Sequence, residues 1–185
     1  VASTLTKYVF VTSNKNKLRQ ARAILGMPLS GASLEIPEIQ SLEVKEVITR
    51  KAEEAFRMLG KPVLVEDTGL YINSLNGFPG AMVKWILEAV KNEGICRLLE
   101  GSKDRSAYAE TGICLYDGRS VRTFFGRVDG KITEEPRGIL GFGWAPIFQP
   151  NGCATTYGEM PEEEKNRVSM RAKAFLELKR YLDES

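Results

Sequence analysis

Residues 61–70 read "KPVLVEDTGL", and this stretch decides the fold class. Val63, Leu64 and Val65 form an unbroken apolar run, the pattern of a strand covered on both faces. Glu66 and Asp67 follow at once and are expected at the C-terminal end of that strand. In open α/β sheets that end is where ligands bind. Two neighbouring carboxylates there suit a magnesium site; a helix cap or a plain polar turn is the competing reading.

The chain's first unit repeats the theme. Residues 8–12 read as a short buried strand, and Leu18, Ala21, Ile24 and Leu25 follow at helical spacing until Gly26 ends the helix. Between them lies "TSNKNK", Thr12 to Lys17. A strand-to-helix turn with backbone N–H groups and lysines is a place to hold phosphate. It contains no glycine, so neither the P-loop nor the dinucleotide fingerprint applies.

Residues 41–60 read as a second helix with the stripe Val44, Val47, Ile48, Ala52, Ala55, Met58 and Leu59, closed by Gly60 and Pro62. Lys51 falls inside this stripe. Either it snorkels to water at the stripe's edge or it is aimed into a cleft. "NGFPG" (76–80) is a turn, followed by a helix through Trp85, Ile86, Ala89 and Val90 with Lys84 near its start. Residues 106–116 and 120–128 read as two strands joined by the hairpin signal Asp117-Gly118, which makes the sheet mixed. "GFGWAPIF" (141–148) reads as a loop wall. A last helix starts near Pro161, with Glu162, Glu163 and Glu164 in its first turn and Lys173, Lys179 and Arg180 later, both favourable to the helix dipole.

Composition narrows the chemistry. With 185 residues, 43% hydrophobic and 27% charged, the chain reads as one globular domain over residues 1–185. A net charge of +2 argues against nucleic acid and membrane surfaces as partners. No apolar run reaches the roughly 18 residues of a membrane span, and the opening "VASTLTK" has no apolar signal core. Cys96, Cys114 and Cys153 are scattered without C-x-x-C spacing, which fits a reduced cytoplasmic protein. There is no histidine. Ser-His-Asp and Cys-His catalysis and histidine-ligated metals are therefore excluded. Hydrolysis would fall to carboxylates, lysines and a hard metal held by oxygen.

From about Tyr8 to Leu182 the chain resembles the inosine triphosphate pyrophosphatase family. The resemblance rests on "TSNKNKL", Pro37-Glu38, "VLVEDTGL", "NGFPG" with Lys84 behind it, "GFGW-PIF-P" and "TYGEMPEEEKNRVS-R-KA", in that order. It implies an elongated α/β fold of two lobes around a long mixed sheet, with flanking helices, a central cleft and a homodimeric assembly. It also implies Mg²⁺-dependent hydrolysis of inosine and xanthosine triphosphates and their deoxy forms to monophosphate and diphosphate, with Mn²⁺ as the alternative ion. Carried onto this chain, Thr12, Ser13, Asn14 and Lys17 match the phosphate turn, and Lys51 a triphosphate contact. Glu38, Glu66 and Asp67 match metal-binding acids. Thr68, Lys84 and Lys165 match substrate contacts. Phe142, Gly143 and Trp144 match the wall that holds the base, and Ser169 and Arg171 the turn that reads it. Two positions depart: the family commonly has aspartate at Ala145 and histidine at Met170, both on the base-recognition side.

Diphosphate release requires attack at the α-phosphorus, with charge stabilisation by Mg²⁺ and lysines and a carboxylate to deprotonate water. Asp67 is the candidate base, with Glu66 and Glu38 as alternatives. Arg171 carries only donors and suits the O6 of a 6-keto purine; Phe142 or Trp144 would stack on the ring. A nucleotide sensor without turnover and a nucleic-acid-binding domain are the other two classes, and the modest charge disfavours the latter.

Overall fold

The computed structural model describes residues 5–184, so the first residues of the "VASTLTK" stretch lie outside it. A seven-stranded mixed sheet has the order β2-β1-β3-β5-β6-β7, with β4 paired to β3 off this path. β1 (Val9–Val11) leads into α1 (Lys15–Leu25), then β2 (Ser30–Ala32), α2 (Val44–Leu59) and β3 (Val63–Ile72). β4 (Pro79–Gly80), α3 (Val83–Leu98) and the long hairpin β5 (Ser106–Tyr116) and β6 (Val121–Ile132) follow. β7 (Phe148–Pro150), α4 (Glu162–Val168) and α5 (Met170–Glu184) complete the chain. β1, β2 and β3 are parallel; the remaining pairs are antiparallel. No helix among the described residues is long and apolar enough to cross a membrane.

Strand alternation sorts the core onto two faces. Leu64 packs with Phe10, Ile113, Leu115 and the α1 and α5 residues Ala21, Leu25, Phe175 and Leu178. Val63 and Val65 face the other way, against Val44, Ile48, Ala52 and Ala55 of α2. A third cluster gathers Leu70, Ile72, Ile95, Val128, Trp144, Phe148 and Tyr157 beyond them. α5 can lie close on β6 because position 126 is glycine: a Cβ there would stand 2.0 Å from the Met170 carbonyl oxygen.

Several local expectations change. β3 does not end at Glu66 and Asp67 but runs ten residues to Ile72. The polar "EDTG" stays extended because it pairs with β5, Glu66 opposite Ile113, Asp67 opposite Gly112 and Thr68 opposite Thr111. What does end there is β1, which pairs with β3 only at Val63 and Leu64. The same edge of β3 is taken up again by β4 at Leu70 and Tyr71. Between them the edge is open, and both acids sit in that gap.

The β5–β6 connection is four residues, because Tyr116 pairs with Val121. Asp117 closes it by accepting from the N–H groups of Arg119 and Ser120. Met58 is 45% exposed rather than part of the α2 stripe. α3 is interrupted at Lys91, at φ 60°. The last helix is two helices, α4 and α5, broken at Ser169, whose backbone is extended (φ −83°, ψ 147°).

Candidate active site

A cleft of about 940 Å³ opens over the gap in the β3 edge. It gathers Thr12, Ser13, Asn14, Lys17, Glu38, Lys51, Asp67, Thr68, Lys84, Phe142, Gly143, Trp144, Ala145, Lys165, Met170 and Arg171. Of the residues singled out in the sequence, Glu66 and Ser169 are not on its surface.

Glu66 and Asp67 are neighbours in sequence but point to opposite faces of the strand. Glu66 faces α5. Its carboxylate accepts from Arg171 Nε at 3.0 Å and Nη2 at 2.9 Å, with the Lys17 ammonium 3.4 Å away. Burial alone would raise its pKa, but Arg171 and Lys17 outweigh it and hold the group down to about 2. Asp67 faces α2, the side of Lys51. Burial, reinforced by Glu38, raises its pKa above its ordinary value against the pull of Lys17 and Lys51. Lys17 Nζ, 3.7 Å from Asp67, spans both acids from the first turn of α1.

Lys51 resolves in favour of the cleft. Its ammonium donates to Glu38 Oε1 at 2.8 Å. Burial opposes its charge, yet Asp67 and Glu38 together raise its pKa. Glu38 is correspondingly lowered: burial works against the shift and Lys51 prevails. The helix that carries Lys51 is anchored from β3, where the Tyr71 hydroxyl accepts from Val44 N and donates to the Leu42 carbonyl.

In the turn after β1, Asn14 caps α1 by accepting from the N–H groups of Asn16 and Lys17, and Thr12 Oγ1 accepts from Asn14 N. Two of the N–H groups expected for phosphate are thus engaged in the cap. Thr68 shares a 2.9 Å hydrogen bond with the Thr111 hydroxyl. Lys84 stands largely in solvent, 4.0 Å from Glu88.

At the other end the cleft is aromatic. Phe142 is half-exposed there, with Lys165 Nζ 5.5 Å and the Arg171 guanidinium 5.7 Å from its ring centre. Trp144 is buried against Phe148 and Tyr157, with ring centres at 5.5 and 6.3 Å, so it borders the cleft as part of the core. Ala145 and Met170 are buried in the same cluster. Ser169 Oγ accepts from Ala172 N and starts α5. Arg171 is committed to Glu66 and, through Nη1, to Gln20 Oε1 at 2.8 Å.

Gln20 was not singled out in the sequence, although a helical signal was available: it lies one turn beyond Lys17, beside the apolar Ala21. Thr111 had no comparable local signal, whereas Tyr157 lay within the quoted motif "TYGEM" without being singled out.

The Ham1 family model matches residues 8–181. An inosine triphosphate pyrophosphatase of Aspergillus fumigatus is 44% identical over 182 residues, covering 96% of this chain and 95% of its own. A dITP/XTP pyrophosphatase of Methanopyrus kandleri is 43% identical over 173 residues, 91% of this chain and 92% of its own. A HAM1 protein from Coxiella burnetii superposes with a TM-score of 0.85 at 29% identity, covering 96% of this chain and 98% of that one. A family match across nearly the whole chain, close relatives at full length and a shared fold agree: the chain belongs to the Ham1 family.

Proposed function

We propose that the chain hydrolyses non-canonical purine nucleoside triphosphates, ITP, dITP and XTP, to the monophosphate and diphosphate, and so clears them from the nucleotide pool. The observation that carries the reading is the polarity of one cleft. Lys17, Lys51, Glu38 and Asp67 crowd one end, and Phe142 with Lys165 lines the other. A triphosphate suits the first and a purine ring the second. Relatives named for ITP and for dITP/XTP support the substrate class.

The phosphate end fits a hard divalent cation, Mg²⁺ or Mn²⁺, with Asp67 and Glu38 as its holders. The two acids are close enough for Glu38 to raise the pKa of Asp67, a repulsion that a cation between them would relieve. Among the described residues no cluster of three or more acids, cysteines or histidines is gathered. Glu38, Glu66 and Asp67 therefore do not form one three-acid ligand set. When bound, the cation supplies charge neutralisation at the phosphate oxygens. Glu66 is less suited to this role, since Arg171 occupies both of its oxygens.

Lys17 and Lys51 hold the triphosphate and stabilise charge at the α-phosphorus. Asp67 orients the attacking water and takes its proton on a carboxylate oxygen. Diphosphate leaves and the monophosphate remains. We infer one catalytic domain over residues 1–185, a homodimer in solution and a cytoplasmic setting.

The test is incubation with ITP and Mg²⁺ while diphosphate and orthophosphate are assayed separately. Diphosphate as the first product, lost in EDTA, is the expected result. Orthophosphate first overturns the reaction, undiminished activity in EDTA overturns the metal, and tight binding without turnover leaves a sensor.

A further inference from the structure

Thr68 lines the cleft, and its hydroxyl has a buried neighbour. Thr111 lies directly opposite it on β5, and Gly126 of β6 lies opposite Thr111. Directly paired residues share a face of the sheet, and Glu66, two residues before Thr68, shares it as well. This is the face that α5 covers: a Cβ on Gly126 would meet the Met170 carbonyl oxygen. Thr111 is 0% exposed. Among the described residues its hydroxyl has one hydrogen-bond partner, Thr68 Oγ1 at 2.9 Å.

Two proton orders are open to the pair. If Thr68 donates, the Thr111 hydrogen is buried without an acceptor, which is unfavourable. If Thr111 donates, both hydroxyls are served, since Thr68 can turn its own hydrogen toward Glu66 Oε1. Glu66 can only accept, because Arg171 and Lys17 hold it ionised. Its Oε1 already receives Arg171 Nη2 at 2.9 Å and faces the Lys17 ammonium at 3.4 Å. The Thr68 contact to it is 3.5 Å, longer than the roughly 2.5–3.0 Å of a good O–H···O bond. The Thr68 hydrogen is therefore available to a better acceptor in the cleft, and the bond accepted from Thr111 polarises it as a donor.

From the buried Thr111 hydroxyl and its single partner at the cleft wall, we infer that Thr111 is a positioning residue. It fixes the Thr68 hydroxyl as a donor to an acceptor oxygen of the nucleotide. Valine would fill the same space, so the role belongs to the hydroxyl and not to the shape. The inference rests on the nucleotide reading of the cleft.

The experiment measures kcat/KM for ITP by diphosphate release in the wild type, Thr111→Val, Thr68→Val and the double variant. Thr111→Val is expected to lower kcat/KM about fivefold, the worth of one hydrogen bond. In the Thr68→Val background the same change is expected to do nothing, because the group through which Thr111 acts is gone. Thr111→Ser restores the donor and should recover most of the loss. A Thr111→Val enzyme within about twofold of wild type, or an equal loss in both backgrounds, overturns the inference, the second by making the hydroxyl a matter of the fold alone. Should Thr111→Val fail to fold, Thr111→Ala removes the same hydroxyl and is read by the same cycle. A wild type that binds ITP without turnover overturns the proposed reaction, and the cycle is then read on dissociation constants from calorimetry; no binding of ITP overturns both.

Discussion

Arg171 grips Glu66 with two parallel hydrogen bonds, Nε to Oε2 at 3.0 Å and Nη2 to Oε1 at 2.9 Å, across 105 residues of sequence. Both groups are buried. The pair ties the start of α5 to the middle of β3, directly beneath the cleft. It also separates the two adjacent acids: Glu66 is neutralised within the protein, and Asp67 is left to face the cleft.

Glu66→Gln should therefore act first on stability. It strands the Arg171 charge in the interior, and breaking a buried pair from one side costs roughly 3–5 kcal/mol. Arg171 and Lys17 hold the wild-type carboxyl down to about 2 in the fold, against an ordinary value of 4.5. Its contribution is complete above pH 4.5 and is lost as pH falls toward 2, with a slope of up to roughly 1.4 kcal/mol per pH unit. Urea titrations from pH 7 to pH 3 should show that slope in the wild type and a shallower one in the variant. Equal stability at pH 7 would mean that the pair does not hold the fold.

Asp67→Asn should do the reverse. Its charge is disfavoured by burial, so a neutral isostere leaves the melting temperature unchanged or higher. Turnover of ITP should fall roughly 100-fold or more if Asp67 takes the proton from water. A variant that keeps more than about a tenth of wild-type kcat removes Asp67 from that role.

Lys51→Met should lower kcat/KM about tenfold or more, in keeping with loss of a charge-assisted contact to the triphosphate. Methionine fills the apolar part of the site, so thermal stability should change little. Unchanged kinetics with improved stability would return Lys51 to the role of a snorkelling surface lysine.

If the Lys165 charge meets the substrate, kcat/KM for ITP should show an alkaline limb near pH 8, where the amine becomes neutral. Lys165→Arg should move that limb upward, arginine staying protonated. Stability should run the other way. Burial pushes the folded lysine down to about 8 from an ordinary value of 10.5, so the unfolded chain binds more protons between those values and stability rises with pH there. A limb that ignores the arginine variant belongs to another group.

Much of the scaffold was written locally. Gly26 ends α1 in the left-handed conformation, and the stripe from Val44 to Ala55 packs as its spacing implies. Sixteen of the predicted contact positions line one cleft, since they came as ordered motifs rather than as isolated residues. The errors share a cause. Residues 66–69 look like the end of a strand because they are polar, and Ser169 sits inside a helical pattern without announcing a break. Both outcomes depend on partners far along the chain, β5 for the strand and β6 for the helix start, where Gly126 admits the Met170 backbone.

By itself the sequence determined that this is an α/β protein without histidine chemistry, with a lysine-rich turn after its first strand and two acids after an apolar run. Those are properties of composition and short-range period. Only the tertiary structure decided which acid is which. Side chains alternate across a strand, so adjacent residues meet different neighbours: Arg171 from α5 below for Glu66, and the α2 side with Lys51 for Asp67. Burial beside opposite charge then holds one carboxyl ionised, and burial beside Glu38 raises the pKa of the other. No reading of "ED" in isolation contains that difference, because it arises from the field of residues brought close by folding.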